Sequence, residues 1–202
     1  MLYGILLAIF VLIFIYSVYY QTRCLIIKIN NDVINSKKAN SITIAQSVLK
    51  NNNTNIYLVK TNNSRRSHYD IKRNAIRLDD RDYDSNYISC ISNSIALAIN
   101  AVITNKGNRF IFLLFYYISK ISIVLCLICI YLYDLVFLTF SMIFLLGTMI
   151  FKYINLKKEI EILNIEIDNI KKEYKINDED IIKVYNSTAT ILYNELSFNL
   201  LK

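Results

Sequence analysis

Proline and tryptophan are absent from this 202-residue chain, and glycine occurs only three times. The chain is therefore neither collagen-like nor a Pro-rich or Gly-rich low-complexity segment. Its four cysteines are too few for a dense disulfide scaffold, and they do not form the paired Cys-x-x-Cys or Cys/His pattern of a structural zinc finger. A single histidine excludes any site that needs two.

Apolar residues, by contrast, make up 54% of the chain. Residues 1–20 carry no charged side chain and are long enough for a transmembrane helix. They lack the basic start and the small-residue cleavage site of a signal peptide, so we interpret them as a retained anchor. Residues 110–151 are interrupted only by Lys120 and Asp134. They predict a transmembrane hairpin that turns at Asp134, with Lys120 either extending to the membrane surface or facing the protein interior.

Basic residues flank all three predicted spans on one side. Residues 21–109 hold 14 Lys and Arg against 6 Asp and Glu, and residues 152–202 hold 8 against 9. Because Lys and Arg concentrate in cytoplasmic loops, we expect both polar segments in the cytoplasm and Met1 outside. We expect these basic residues to interact with anionic lipid, so the lipid membrane is the expected partner. The basic residues do not alternate with aromatic residues as in nucleic-acid-binding proteins, so we expect no nucleic acid partner.

The polar segments predict an α+β cytoplasmic domain over residues 21–109 and a cytoplasmic helical segment over 152–202. Within the first segment, Ser41 is placed to cap a short helix. Apolar residues at steps of three and four predict a longer helix over 87–104. The expected fold class is thus α+β, a helical membrane protein with an N-terminal anchor, a small α+β domain, a transmembrane hairpin and C-terminal helices. The C-terminal helices are a charged helix over 155–174 and a helix that begins near Asp178.

Three local patterns carry a family resemblance. Residues 67–70, Ser-His-Tyr-Asp, followed by the strand 75–78, look like an Asp-His-Tyr-Asp stretch and its following strand, with Ser67 in place of the Asp. Residues 165–168, Ile-Glu-Ile-Asp, look like a Glu-Phe-Asp segment after a hairpin, and 178–197 like a C-terminal helix. In this order the chain resembles the YugP-like family of membrane-bound neutral zinc metallopeptidases. The resemblance implies a zinc cofactor, peptide hydrolysis and, as location, the bacterial plasma membrane.

The zinc motif of that family departs from its pattern here. Its His-Glu-x-x-His should fall within 87–104, where Asn93 and Leu97 stand at the two histidines and Ser94 at the glutamate. A catalytic zinc needs three protein ligands, two of them from these histidines, and the glutamate takes the proton from the zinc-bound water. Leu97 has no lone pair, Asn93 offers only a neutral amide oxygen, and Ser94 is not a base near neutral pH. We therefore expect no bound metal and no catalytic residue in this helix.

The remaining candidates for a metal site are His68, Cys90 and Glu166. The resemblance implies that Glu166 stands at the position of the third ligand, and Cys90 lies one helical turn before Asn93. Two of the three residues also have a simpler interpretation: His68 as a hydrogen-bonding residue at a strand edge, and Glu166 as one of several solvated charges on its helix.

Three functional hypotheses follow from the sequence. The first is a catalytically inactive homologue of the zinc metallopeptidases, acting as a scaffold or regulator that binds membrane proteins or an active relative. The second is an active zinc-dependent membrane peptidase with a rebuilt metal site. The third is a small membrane protein whose resemblance to the family is coincidental.

Overall fold

The computed structural model describes residues 2–29, 32–34, 39–61 and 67–196. Within these residues the elements are α1 Leu2–Ile29, α2 Ser41–Asn51, β1 Tyr57–Thr61, β2 His68–Asp70, β3 Ala75–Asp79, α3 Asp80–Tyr83, α4 Ile88–Lys106, α5 Arg109–Leu132, α6 Leu135–Tyr174 and α7 Asp178–Leu196. The fold is mostly helical with one small sheet and several long apolar helices. This architecture is compatible with the expected α+β membrane protein.

Four of the described helices, α1, α4, α5 and α6, are long and apolar enough to cross a membrane. They differ in what covers them, since 72% of the apolar stretch of α4 is buried inside the protein, against only 6% in α1. An apolar helix that is covered on all sides belongs to a protein core. We therefore assign α4 to the core of the polar domain, whereas α1, α5 and the first half of α6 expose many apolar side chains.

The hairpin turns at Asp134, as expected, but its second helix continues far beyond the apolar segment. Oδ1 of Asp134 accepts hydrogen bonds from the backbone N–H groups of Val136 and Phe137 and so caps the start of α6. The prediction of a separate charged helix over 155–174 is wrong, because α6 is one continuous helix of 40 residues. No Pro or Gly lies between Phe151 and Asn155, so the change from apolar to charged composition does not end the helix.

The polar domain is built around α4. Helices α2 and α7, the charged half of α6 and the sheet pack against α4, and their buried side chains form one core. This core includes Ile44, Ile76, Ile95, Leu163 and Leu192. Helices α4 and α6 therefore contact each other.

The sheet has the strand order β1-β3-β2, with β1 parallel and β2 antiparallel to β3. The sequence does not predict β2 as a separate strand. An ion pair helps to hold β2 against β3, because a guanidinium nitrogen of Arg77 lies 3.2 Å from Oδ2 of Asp70. His68 is exposed in β2 and lies opposite Arg77, in agreement with its interpretation as a strand residue.

The predicted cap of α2 is wrong by one residue. Asn40, not Ser41, is the N-cap, because Oδ1 of Asn40 accepts the N–H of Thr43 at 2.8 Å. Ser41 is the first helical residue, and its hydroxyl donates to the backbone carbonyls of Asp82 and Tyr83. Ser41 thus ties the start of α2 to α3.

Candidate functional site

The three positions of the family's zinc motif lie on α4 but do not face an open cleft. Nδ2 of Asn93 donates to Oδ2 of Asp82 at 3.4 Å. Ser94 is fully buried, and its hydroxyl finds no hydrogen-bond partner among the described residues. Leu97 belongs to the hydrophobic core. A substrate peptide and a reacting water molecule therefore have no access to Ser94 and Leu97.

Asp82 is the centre of a polar cluster at the start of α4. Its carboxylate accepts the hydroxyl of Ser67 at 2.5 Å, the thiol of Cys90 at 3.3 Å and the amide of Asn93. An ionised carboxylate only accepts hydrogen bonds, so it is well suited to three donors. The cluster connects the segment before β2, helix α3 and helix α4.

The departure from the family pattern at Ser67 fits this cluster. The Ser67 hydroxyl accepts the backbone N–H of Asp79 at 2.8 Å while it donates to Asp82. A second carboxylate in place of Ser67 would repel Asp82 instead of donating to it. Ser67, Asp82 and Asn93 therefore form one compatible set of side chains around α4.

Cys90 is held as a neutral thiol. Burial raises the pKa of Cys90 above its ordinary value, the nearby Asp82 carboxylate raises it further, and a hydrogen bond with Ser85 opposes the shift in part. The thiolate, not the thiol, is the nucleophile and the metal ligand. The surroundings of Cys90 therefore disfavour both roles near neutral pH.

Glu166 lies in a different place and has different partners. Its carboxylate accepts the side-chain amides of Asn51 at 3.0 Å and Asn52 at 2.9 Å. Asn52 in turn accepts the ammonium group of Lys106 at 3.2 Å. Glu166 is only 3% exposed, so its interpretation as a solvated charge is wrong. It connects α6 to the end of α2.

The three candidate metal ligands thus have separate surroundings. Cys90 contacts Asp82, and His68 is exposed on β2. Glu166 contacts Asn51 in α2 and Asn52, the C-cap of α2. Across residues 2–29, 32–34, 39–61 and 67–196, no group of three His, Cys, Asp or Glu side chains is placed to hold a metal ion. The side chains at positions 93, 94 and 97 do not fit zinc either, because an amide, a hydroxyl and a hydrocarbon do not make its usual ligand set.

A second candidate site is a cavity of about 120 Å³ where the polar domain meets the apolar hairpin. Its apolar wall includes the rings of Phe112, Phe115, Tyr116 and Phe151, together with Ile71, Leu156 and Leu192 of α7. Its polar wall consists of Asn100 from α4 and of Lys152, Asn155 and Glu159 from α6. The three residues of α6 follow one another at steps of three and four, which places them on one helix face.

This cavity is not predicted from the sequence. The spacing of Lys152, Asn155 and Glu159 does place the three residues on one helix face. However, the charges of this segment suggest that the face is solvated and belongs to a separate helix. Glu159 is in fact 6% exposed. The contribution of Asn100 depends on how α4 packs against α6, which no local pattern contains.

No family model, no curated protein and no solved structure matches this chain. The resemblance to the zinc metallopeptidases therefore depends on the residue patterns described above.

Proposed function

We propose that this protein is a catalytically inactive homologue of the membrane zinc metallopeptidases and acts as a scaffold or regulator of membrane proteins. The observation that carries the proposal is the state of the motif positions in α4. Ser94 and Leu97 are buried, and Asn93 is hydrogen-bonded to Asp82. These side chains contribute to packing and to a polar cluster, and none of them supplies a zinc ligand or a general base.

In this proposal the polar domain lies in the cytoplasm and the hairpin turn at Asp134 lies outside. The distribution of Lys and Arg supports this orientation, since residues 21–109 and 152–202 contain all but one of them. The apolar surfaces of α1, α5 and the first half of α6 would then face lipid. The same surfaces offer helix faces to partner membrane proteins, among them an active relative.

The catalytic part of the proposal is tested on protein purified in detergent. We expect far less than one zinc per chain and no peptide hydrolysis that a chelator abolishes. Stoichiometric zinc that is lost in Cys90→Ala or His68→Ala would overturn the proposal in favour of an active peptidase with a rebuilt site. The matched control for His68→Ala is Tyr57→Ala, at another exposed strand position.

The scaffold part needs a test of its own. A photo-crosslinking residue at the exposed position Phe144 of α6 should capture a membrane protein in cells. Deletion of this chain should lower the amount or activity of that same protein, and Asn93→Ala should restore it as well as the unmodified chain does. A captured protein that is unaffected by the deletion would contradict the scaffold role.

A further inference from the structure

We propose that the cavity between α4, α5, α6 and α7 binds the headgroup of one phospholipid from the surrounding bilayer, of the class in which a phosphate is joined to a primary ammonium group. The acyl chains would remain in the bilayer, beside the aromatic rings of α5 and α6. This inference does not depend on the scaffold role.

The size of the cavity favours a headgroup rather than a whole ligand. Its volume is about 120 Å³. Pockets for drug-sized ligands begin at about 300 Å³. The cavity therefore has room for a small polar group, while a lipid chain has to lie outside it.

The position of the cavity favours a ligand from the bilayer. Phe151 lines it at the end of the apolar half of α6, and Phe112 and Phe115 line it in the first turns of α5. The ring of Tyr116 forms part of the wall and is also exposed. The cavity wall is thus continuous with the lipid-facing surface of the hairpin.

The order of charges along α6 determines the headgroup. Lys152 follows the apolar segment directly, and Glu159 lies two helical turns deeper in the polar domain. A rise of about 1.5 Å per residue separates their backbones by roughly 10 Å. In a phospholipid the phosphate is nearer the chains and the ammonium lies beyond it, so Lys152 meets the phosphate and Glu159 meets the ammonium.

The amides of Asn100 and Asn155 lie in the same cavity. Oδ1 of Asn100 already accepts the hydroxyl of Thr104 at 3.2 Å, and an amide oxygen has a second lone pair for an N–H donor. Glu159 discriminates among headgroups, because a buried carboxylate favours a cation and disfavours a second anion. A primary ammonium carries three N–H donors, whereas a trimethylated ammonium carries none. A headgroup that ends in neutral hydroxyls lacks the positive charge altogether.

Further cations near the cavity attract phosphate groups to this surface. The ammonium of Lys120 lies 4.6 Å from the ring centre of Tyr116, a wall residue one turn closer to the polar domain. The ammonium of Lys72 lies 5.6 Å from the ring centre of the neighbouring Tyr117. Lys120 is exposed and extends toward Tyr116, which is the direction that an extension to the membrane surface would require.

The test uses the full chain, purified in detergent, freed of lipid and mixed with equal amounts of phosphatidylethanolamine, phosphatidylcholine and phosphatidylglycerol with identical acyl chains. Native mass spectrometry counts the lipids that each chain retains. We expect one tightly bound lipid, with phosphatidylethanolamine preferred about tenfold, the effect of about one charge-assisted hydrogen bond. Equal retention of the three lipids would overturn the proposal.

Two substitutions separate the roles of the charges. Glu159→Gln should abolish the preference for phosphatidylethanolamine but keep lipid binding, and Lys152→Gln should weaken retention of all three lipids. Glu161→Gln and Lys157→Gln are the matched controls, because both residues are exposed on the same helix. A control that changes the preference as much as Glu159→Gln does would contradict the assignment.

A series of headgroups keeps the proposal testable if the Glu159 variant does not fold. Successive methylation of the ammonium removes one N–H donor at a time without changing the protein. Retention should fall stepwise from the primary to the trimethylated ammonium. Retention that is insensitive to methylation would exclude recognition of the ammonium by Glu159 and the asparagines.

Discussion

Nδ2 of Asn93 in α4 lies 3.4 Å from Oδ2 of Asp82 in the short helix α3. This hydrogen bond joins α3 to α4. Asn93 is the residue that stands at the position of the first zinc ligand in the resembled family. Because Asp82 also accepts the hydroxyl of Ser67 and the thiol of Cys90, the stability of this region should depend on the carboxylate.

Asp82→Asn should destabilise the protein by about 1–3 kcal/mol, because the new amide group presents N–H donors to side chains that themselves donate. Thermal unfolding in detergent, followed by circular dichroism, measures the effect. Asp84→Asn removes the same charge from an exposed position nearby and serves as the control. Equal effects of the two substitutions would show that the cluster contributes nothing specific.

Ser92 and Ser94 form a matched pair on α4, since both are fully buried. The hydroxyl of Ser92 donates to the carbonyl of Val184 at 3.3 Å, whereas that of Ser94 has no partner within the described residues. Ser92→Ala should therefore cost about 1 kcal/mol, and Ser94→Ala should be neutral or stabilising. Denaturant titration of the two variants in parallel gives both values, and the reverse order would contradict the packing of α4 against α7.

A glutamate at position 94, as in the motif of the resembled family, should harm the fold. Ser94→Glu places a carboxylate in a fully buried position, where an unpaired charge is strongly unfavourable. We expect a large fall in melting temperature, without zinc-dependent hydrolysis, both alone and together with Asn93→His and Leu97→His. A stable triple variant that binds zinc would show that this face of α4 is accessible after all.

The role of Glu166 as a connection between α6 and α2 predicts a loss of stability in Glu166→Ala. Its removal leaves the amides of Asn51 and Asn52 without their acceptor, at a cost of about 1.5–3 kcal/mol for hydrogen bonds to a charged group. Glu173→Ala, at an exposed position of the same helix, is the control. Hydrogen exchange should show faster opening at the end of α2 only in the Glu166 variant.

Cys90 predicts a dependence of stability on pH. Since burial raises the pKa of its thiol in the folded protein, the neutral form is favoured by folding. Its contribution is fully present below the thiol pKa of the unfolded chain, about 8.5, and is lost as the pH rises toward the raised folded pKa. In Cys90→Ser, the free energy of unfolding should decline less steeply between about pH 8 and pH 10, which is roughly the range of thiol titration. An unchanged slope of unfolding free energy against pH would contradict this role of Cys90.

The elements with strong sequence periodicity were predictable. The apolar runs of α1 and α5 and the stripe of α4 give long helices because each repeats one pattern over many residues. The cap of α2 is misplaced by one residue, since Asn40 and Ser41 are both good N-caps and only the contact of Ser41 with α3 distinguishes them.

The candidate sites were less predictable because they depend on contacts between distant segments. Glu166 and Asn51 are 115 positions apart, and Asp82 gathers donors from both sides of α3. The sequence does show how α4 differs from the zinc motif of the resembled family. It does not show what replaces their interactions, because that depends on the packing of α2, α3 and α6 around α4.

Helix α6 passes without interruption from the apolar hairpin to the far side of the polar domain, over about 60 Å for its 40 residues. We therefore expect its two halves to tilt together. If the apolar half spans a bilayer, a thinner or thicker bilayer would change the tilt of that half. The change of tilt would then reach Tyr174, whose hydroxyl donates to the carbonyl of Thr43 in α2 at 3.0 Å, so that membrane thickness would act on the position of α2.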